Sequence, residues 1–331
     1  MKRKQVLSVL FVSLFLSFAL SFFLVSCASS RGALQAEEYF SLGMAFFDLG
    51  RFREAEVWLN RARSSDRTMT ASQYNLGRIA FETGRFEEAA RHFESVLRQD
   101  PDNIMALRAA AYSRIRNGDL EKAEALYVRV LELLPESADG AFNYALVLFA
   151  LERFEDSEAA LQRHPFTLEE NASSLLLLAR AQKAQGKPES LDAFASWLDL
   201  VSGTPSPHGL FDYALALEEA DFFARAVEQL DAALSALERD SPTLRRSTVL
   251  FEKARIILTL DTGNAEGLTT FNAAISAGFS DIEAVEKLSR DDRVPQTARI
   301  EIRSALNALR VKAEQAVEEE VDEEESEEGS D

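Results

Sequence analysis

The sequence predicts an all-α fold, an array of about five to seven repeated helix pairs closed by C-terminal capping helices. Three observations carry this expectation. Similar segments recur about every 34 residues between residues 36 and 278. Glycine and proline are scarce, 14 and 8 in 331 residues, while phenylalanine reaches 23; that balance favours helices over a loop-rich sheet fold. The composition is also 47% hydrophobic, enough to bury a core along most of the chain.

The repeat is clearest when "YFSLGMAFFDLGRFREAEVWLNRA" from Tyr39 is set against "QYNLGRIAFETGRFEEAARHFESV" from Gln73. Leu42-Gly43 returns as Leu76-Gly77, Gly50-Arg51-Phe52 as Gly84-Arg85-Phe86, and Ala55 as Ala89. The register continues to Gly118 and Ala123, with Pro101 and Pro135 at repeat ends. A fourth copy carries Ser157 in place of the alanine, and Pro165 is expected to cut its second helix short. A fifth brings Gly186 into register. The sixth and seventh, near "FDYALALEEADFFARAVEQLDAAL" and "KARIILTLDTGNAEGLTTFNAAI", each need a one-residue shift. The resulting pairs span 36–69, 70–103, 104–137, 138–171, 172–205, 207–240 and 246–278.

Each recurring residue has a physical task. Gly43 and Gly77 let helix backbones approach closely. Gly50, Gly84 and Gly118 can take the left-handed conformation that ends a first helix. Ala55, Ala89 and Ala123 leave room for the facing helix, and Pro101 and Pro135 bar its continuation.

Residues 279–317 read as capping helices. Asp281 can cap a helix over "DIEAVEKLSR", and Pro295 suits the first turn of the next. There Ile300, Ala305, Leu306 and Leu309 can form an apolar stripe over the last repeat. Residues 318–331 are almost purely acidic and are expected to be disordered.

These features resemble the tetratricopeptide repeat, over roughly Ala36 to Gly278. The resemblance implies a right-handed α-solenoid whose first helices line a concave groove. Carried onto this sequence, it points Phe40, Met44 and Phe47 into the groove from the first copy. The second copy gives Tyr74, Arg78 and Phe81; the third gives Arg108, Tyr112, Ile115 and Arg116; the fourth gives Phe142, Leu146 and Phe149. Aromatics with arginines among them are the residue types that dominate binding hot spots. The alternative is that these side chains pack as core.

The start of the chain has its own logic. Lys2, Arg3 and Lys4 precede an apolar run from Val6 to Val25, with no further charge before Arg31. That is the layout of a secretory signal. Leu24-Val25-Ser26-Cys27 resembles the bacterial lipoprotein box, which implies a signal peptide over 1–26, lipidation of Cys27 and a short linker over 27–35. Cys27 is the only cysteine of the chain, so an intramolecular disulfide is excluded. The resemblance places the protein in a bacterial cell envelope, facing the periplasm. Ala28 after the cysteine favours the inner leaflet of the outer membrane over the inner membrane.

Charge narrows the partners. The net charge is -19, and 11 acidic residues with no basic one lie between Glu314 and Asp331, leaving -8 for the rest. Such a surface repels phosphate backbones, so nucleic acid is not expected as a partner. His92, His164 and His208 stand far apart, outside any metal-ligand spacing. No phosphate loop, His-Glu-x-x-His or Gly-x-Ser-x-Gly occurs. Carboxylate pairs such as Glu87-Glu88 and Glu169-Glu170 read as solvated helix faces. The sequence therefore points to a scaffold or adaptor without catalytic residues, metal or cofactor, binding envelope proteins or peptides. A carrier of a small hydrophobic ligand, working with a solute transporter, remains the alternative. The acidic tail reads as a solubilising segment, or else as an internal competitor for Arg78, Arg108 and Arg116.

Overall fold

The computed structural model describes residues 34–66, 69–164, 168, 171–241, 243–260 and 264–328, with side chains up to residue 315. The signal-like segment, Cys27 and Pro165 lie outside these residues. Every regular element described is a helix. The chain divides into two compact units at Thr167 and Leu168.

The first unit is a stack of four helix hairpins. They pair α1 (34–48) with α2 (Phe52–Ser65), α3 (Thr70–Glu82) with α4 (Phe86–Leu97), α5 (Ile104–Asn117) with α6 (Leu120–Leu133), and α7 (Ala138–Ala150) with α8 (Phe154–Gln162). Helix α8 has 9 residues where α6 has 14, the shortening expected of the fourth copy.

Each hairpin turns through one left-handed residue. Gly50, Gly84 and Gly118 have φ of 68°, 77° and 86°. Glu152, the next residue in this register, adopts φ 58° without the freedom of glycine. The two helices meet on small residues. Ala55, Ala89 and Ala123 are fully buried. Ser157, in the alanine position of α8, is also buried and donates its hydroxyl to the Ala145 carbonyl at 2.8 Å. A methyl group on Gly77 would come within 2.7 Å of the Phe93 ring, and one on Gly43 within 2.7 Å of Leu59. The expected close approach is thus built into both hairpins.

Three first helices begin on side-chain caps in the same register, while α3 opens after Met69 without one. Asn103 accepts from the Ala106 amide, Ser137 from Gly140, and Asn171 from Ser173 and Ser174.

The second unit holds α9 (Ala172–Ala184), α10 (Ser190–Leu200), α11 (Pro207–Glu219), α12 (Phe223–Ala236), α13 (Arg246–Thr259), α14 (Asn264–Ser276), α15 (Ile282–Arg290) and α16 (Gln296–Glu328). Gly186 keeps the register at φ 68°, and Asp221 takes φ 62° one residue late. The cap of α11 is late by the same step: Ser206, not residue 205, accepts from the Gly209 amide. A single inserted residue thus shifts the whole sixth hairpin.

Helices α15 and α16 close this unit. Asp281 caps α15 by accepting from the Ala284 amide at 2.9 Å. Pro295 precedes the first helical residue of α16, and its carbonyl accepts the first helical bond, from Arg299. The stripe on α16 differs from the expected one. Ala298, Ile302 and Leu306 are buried against Phe251, Phe271 and Leu288, with Ala305 and Leu309 beside them. Ile300 is 60% exposed. Its position lies two residues from Ile302, about 200° round a helix, and so cannot share that face. The acidic segment also departs from expectation, since α16 continues as far as Glu328. Glutamate and alanine are good helix formers, and the segment extends a helix already anchored on a core.

Candidate functional site

The candidate site lies in the first unit, on α1, α3, α5 and α7. The thirteen residues expected in the groove fall into three rows at 34-residue spacing, plus Arg116. None of the thirteen is fully buried, but the rows differ in what they touch.

The row Phe47, Phe81, Ile115 and Phe149 serves the hairpins themselves. Each stands near the end of a first helix and meets the residue opening the second. Phe47 lies 5.6 Å from Phe52, Phe81 5.3 Å from Phe86 and Phe149 5.2 Å from Phe154, between ring centroids. Ile115 and Leu120 flank one buried cluster with Leu107 and Tyr127. These residues are half-buried and pack the hairpin corners. A five-residue separation across a tight turn brings them together, so their apolar character is explained by the fold.

The row Phe40, Tyr74, Arg108 and Phe142 is half-buried. Phe40 packs beside Leu59 and Leu76, and the Tyr74 ring meets Phe93 edge-on at 5.1 Å. Arg108 donates from Nη2 to the Ser137 hydroxyl at 2.8 Å, while its buried Nε has no hydrogen-bond partner.

The row Met44, Arg78, Tyr112 and Leu146 is the most open. Met44 is half-buried and Arg78 exposed; Tyr112 is 46% and Leu146 37% exposed. Two members lean on the corner ring of the preceding hairpin. The Arg78 guanidinium lies 4.4 Å from the Phe47 centroid, and the Tyr112 ring 5.2 Å from Phe81. Arg116 adds a further cation, stacked 4.4 Å over Phe86. The structure thus narrows the open surface to Met44, Arg78, Tyr112, Leu146 and Arg116, with Arg108 at its edge.

Charge on this surface is unbalanced. Among the described residues, Arg78, Arg108 and Arg116 make no ion pair, whereas Arg85, Arg114, Arg129 and Arg153 of the same unit each hold two or three carboxylates. Stacked guanidiniums beside open apolar side chains can hold a carboxylate and an apolar side chain together. Sequence reasoning reached these positions through register, but could not separate rings that pack within a hairpin from side chains that stay open. No group of His, Cys, Asp and Glu able to hold a metal ion occurs among the described residues. No helix among them is long and apolar enough to cross a membrane.

Comparison with known proteins agrees with the fold. The tetratricopeptide repeat model TPR_16 matches residues 40–104 and 108–174. A solved tetratricopeptide repeat protein from Parabacteroides merdae superposes with a TM-score of 0.57 at 21% identity, covering 78% of this chain and 100% of that one. An uncharacterized lipoprotein of Treponema pallidum is 26% identical over 179 residues, 54% of this chain and 91% of the relative. The human protein O-mannosyl-transferase TMTC3 is 29% identical over 117 residues, 35% of this chain, and that match spans only 13% of the transferase. The left-handed corners, the buried alanines and the glycine contacts coincide with the matched segments. Residues 40–104 and 108–174 thus match the tetratricopeptide repeat, and the chain has the fold of a solved tetratricopeptide-repeat protein.

Proposed function

We propose that this protein is a lipid-anchored scaffold of a bacterial envelope, which binds an extended or helical peptide of a partner on α1, α3, α5 and α7. The observation that carries the reading is the open row Met44, Arg78, Tyr112 and Leu146, flanked by arginines that have no carboxylate of their own. The peptide that fits supplies apolar anchors for Tyr112 and Leu146 and acidic groups for Arg78, Arg108 and Arg116. The anchor rests on the Leu24-Val25-Ser26-Cys27 box and on the likeness to the Treponema pallidum lipoprotein. Seven residues lead from Cys27 to residue 34, the first described in α1, so at most about 25 Å of chain would separate that residue from a lipid on Cys27. This arrangement keeps the binding row close to the membrane surface.

The test is a crosslinking pull-down from native envelopes, comparing wild type with Arg78→Ala/Tyr112→Ala/Arg116→Ala. Phe47 and Phe81 are left intact because they pack the hairpin corners. Partners lost in the variant, with its circular dichroism unchanged, support the reading. An identical partner list in both refutes binding on this row. In parallel, mass spectrometry of the mature chain that finds an intact 1–26 segment or an unmodified Cys27 refutes the lipid anchor.

A further inference from the structure

A second candidate site lies between the second helices of the first two hairpins. Arg63 of α2, Gln73 of α3, and Glu88, Arg91, His92, Ser95 and Arg98 of α4 line a cavity of about 340 Å³. Its sequence context differs from that of the next two repeats. The residues 34 positions after Arg63, Gln73 and His92 are Leu97, Leu107 and Leu126, and these pack together in the core of the next repeat. A further 34 positions on stand Leu131, Ala141 and Ala160. An apolar seam between neighbouring repeats has therefore been replaced, at one junction, by a guanidinium, an amide and an imidazole.

The replacement is organised. The Gln73 side-chain amide approaches His92 Nδ1 at 2.6 Å, and Arg63 Nη1 approaches Gln73 Oε1 at 3.4 Å. Gln73 is 7% exposed, so this polar chain stands inside the repeat junction. The only carboxylate lining the cavity is Glu88, which is already engaged by Arg85 at 2.9 Å. Arg91 reaches Glu87 only at 3.8 Å, and Arg63 and Arg98 make no ion pair among the described residues. Three guanidiniums thus surround one concavity with little neutralisation, on a chain of net charge -19. A buried polar chain that replaces packed leucines lowers stability unless it serves something else.

We propose that this cavity binds a phosphate group, held by Arg63, Arg91 and Arg98 with the Ser95 hydroxyl as a further donor. Guanidinium forks match the geometry and charge of phosphate oxygens. The group can reach the site as a free phosphate or on an anionic phospholipid headgroup. The site is distinct from the peptide row, since its phosphate donors stand on α2 and α4 where that row uses first helices.

Isothermal titration of the full chain with inorganic phosphate, at constant ionic strength, tests the proposal. The reference variant is Arg63→Gln/Arg98→Gln, two exposed side chains whose loss leaves the core intact; Arg61→Gln, on an exposed arginine of α2, is the control. The expected result is saturable binding in wild type and in the control, weakened at least tenfold in the double variant. Repeating the titration with the chain in phosphatidylcholine vesicles, with and without phosphatidylglycerol, identifies the source. Phosphate binding lost only with phosphatidylglycerol assigns the site to the headgroup, and unchanged binding assigns it to free phosphate. No saturable binding in either setting, or equal affinity in wild type and double variant, overturns the proposal.

Discussion

Arg114 of α5 and Glu94 of α4 join the second and third hairpins through a single carboxylate oxygen, which accepts from Nε at 2.9 Å and from Nη2 at 2.7 Å. The same guanidinium meets Asp119 at 2.8 Å and also pairs with Glu87. Arg114 is 4% exposed. Burial opposes its charge, but the bonds to Glu94 and Asp119 outweigh that cost and hold its pKa above the ordinary arginine value.

Removing this arginine leaves three carboxylates facing one another with only the longer contacts of Arg91 to Glu87 at 3.8 Å and of Lys122 to Asp119 at 3.7 Å. All three retain some contact with water, so the penalty stays below that of a fully buried charge. Arg114→Ala is expected to cost the first unit about 2–4 kcal/mol, read from the urea midpoint with the slope unchanged. A loss below about 0.5 kcal/mol would show that the cluster contributes no more than surface pairs do.

The hairpin corners make a pair of opposite predictions. Glu152 at φ 58° occupies the register position of Gly118 at φ 86°. A left-handed glutamate costs about 1 kcal/mol relative to glycine at such a site. Glu152→Gly is therefore expected to stabilise the first unit by about 0.5–1 kcal/mol, and Gly118→Ala to destabilise it by about 1 kcal/mol. No atom stands within 4 Å of a methyl group added at Gly118, so only backbone strain is measured there. Equal melting temperatures for all three proteins would contradict the argument.

Gly77 tests packing instead. Its backbone conformation suits any residue, but an added methyl group meets the Phe93 ring at 2.7 Å. Gly77→Ala is expected to destabilise by about 1–3 kcal/mol through overpacking. In the Gly77→Ala/Phe93→Leu background the further loss due to the alanine should shrink, because the ring that clashes is gone. A double-mutant cycle with zero coupling would rule out direct contact as the cause.

How much of this was legible beforehand follows from the nature of each signal. Register was legible, because Gly50, Gly84 and Gly118 must return at one spacing for the corners to form. The buried alanines were legible for the same reason. The character of the binding row was only half legible. Phe47 and Met44 look alike as apolar residues on one helix, and only the facing Phe52 shows which one packs. Ile300 failed because α16 buries one narrow stripe, and the phase of that stripe is set by Phe251 and Leu288 on other helices. The polar seam at His92 was readable in principle from its 34-residue counterparts Leu107 and Leu126, yet a lone histidine on a second helix reads as an ordinary packing residue.

His92 makes the last prediction, which concerns pH. Burial pushes its pKa below 6.5, while Glu88, at 3.6 Å from Nε2, works in the opposite direction and Arg63 adds to the burial effect. The folded state therefore keeps the ring neutral more strongly than the unfolded chain does. The linkage sign follows: the stability is fully present above pH 6.5 and is lost as pH falls through 6.5 towards the lower folded value. Below that value the loss levels off, until the carboxylate of Asp119, held below its ordinary range chiefly by its hydrogen bond with Arg114, begins to take up protons. In phosphate-free buffer, the urea midpoint of the first unit is expected to fall between pH 7 and pH 5. His92→Gln should flatten that segment of the profile while leaving the acid limb in place. A wild-type midpoint that is constant or rises over the same interval would show that Glu88, not burial, governs the ring.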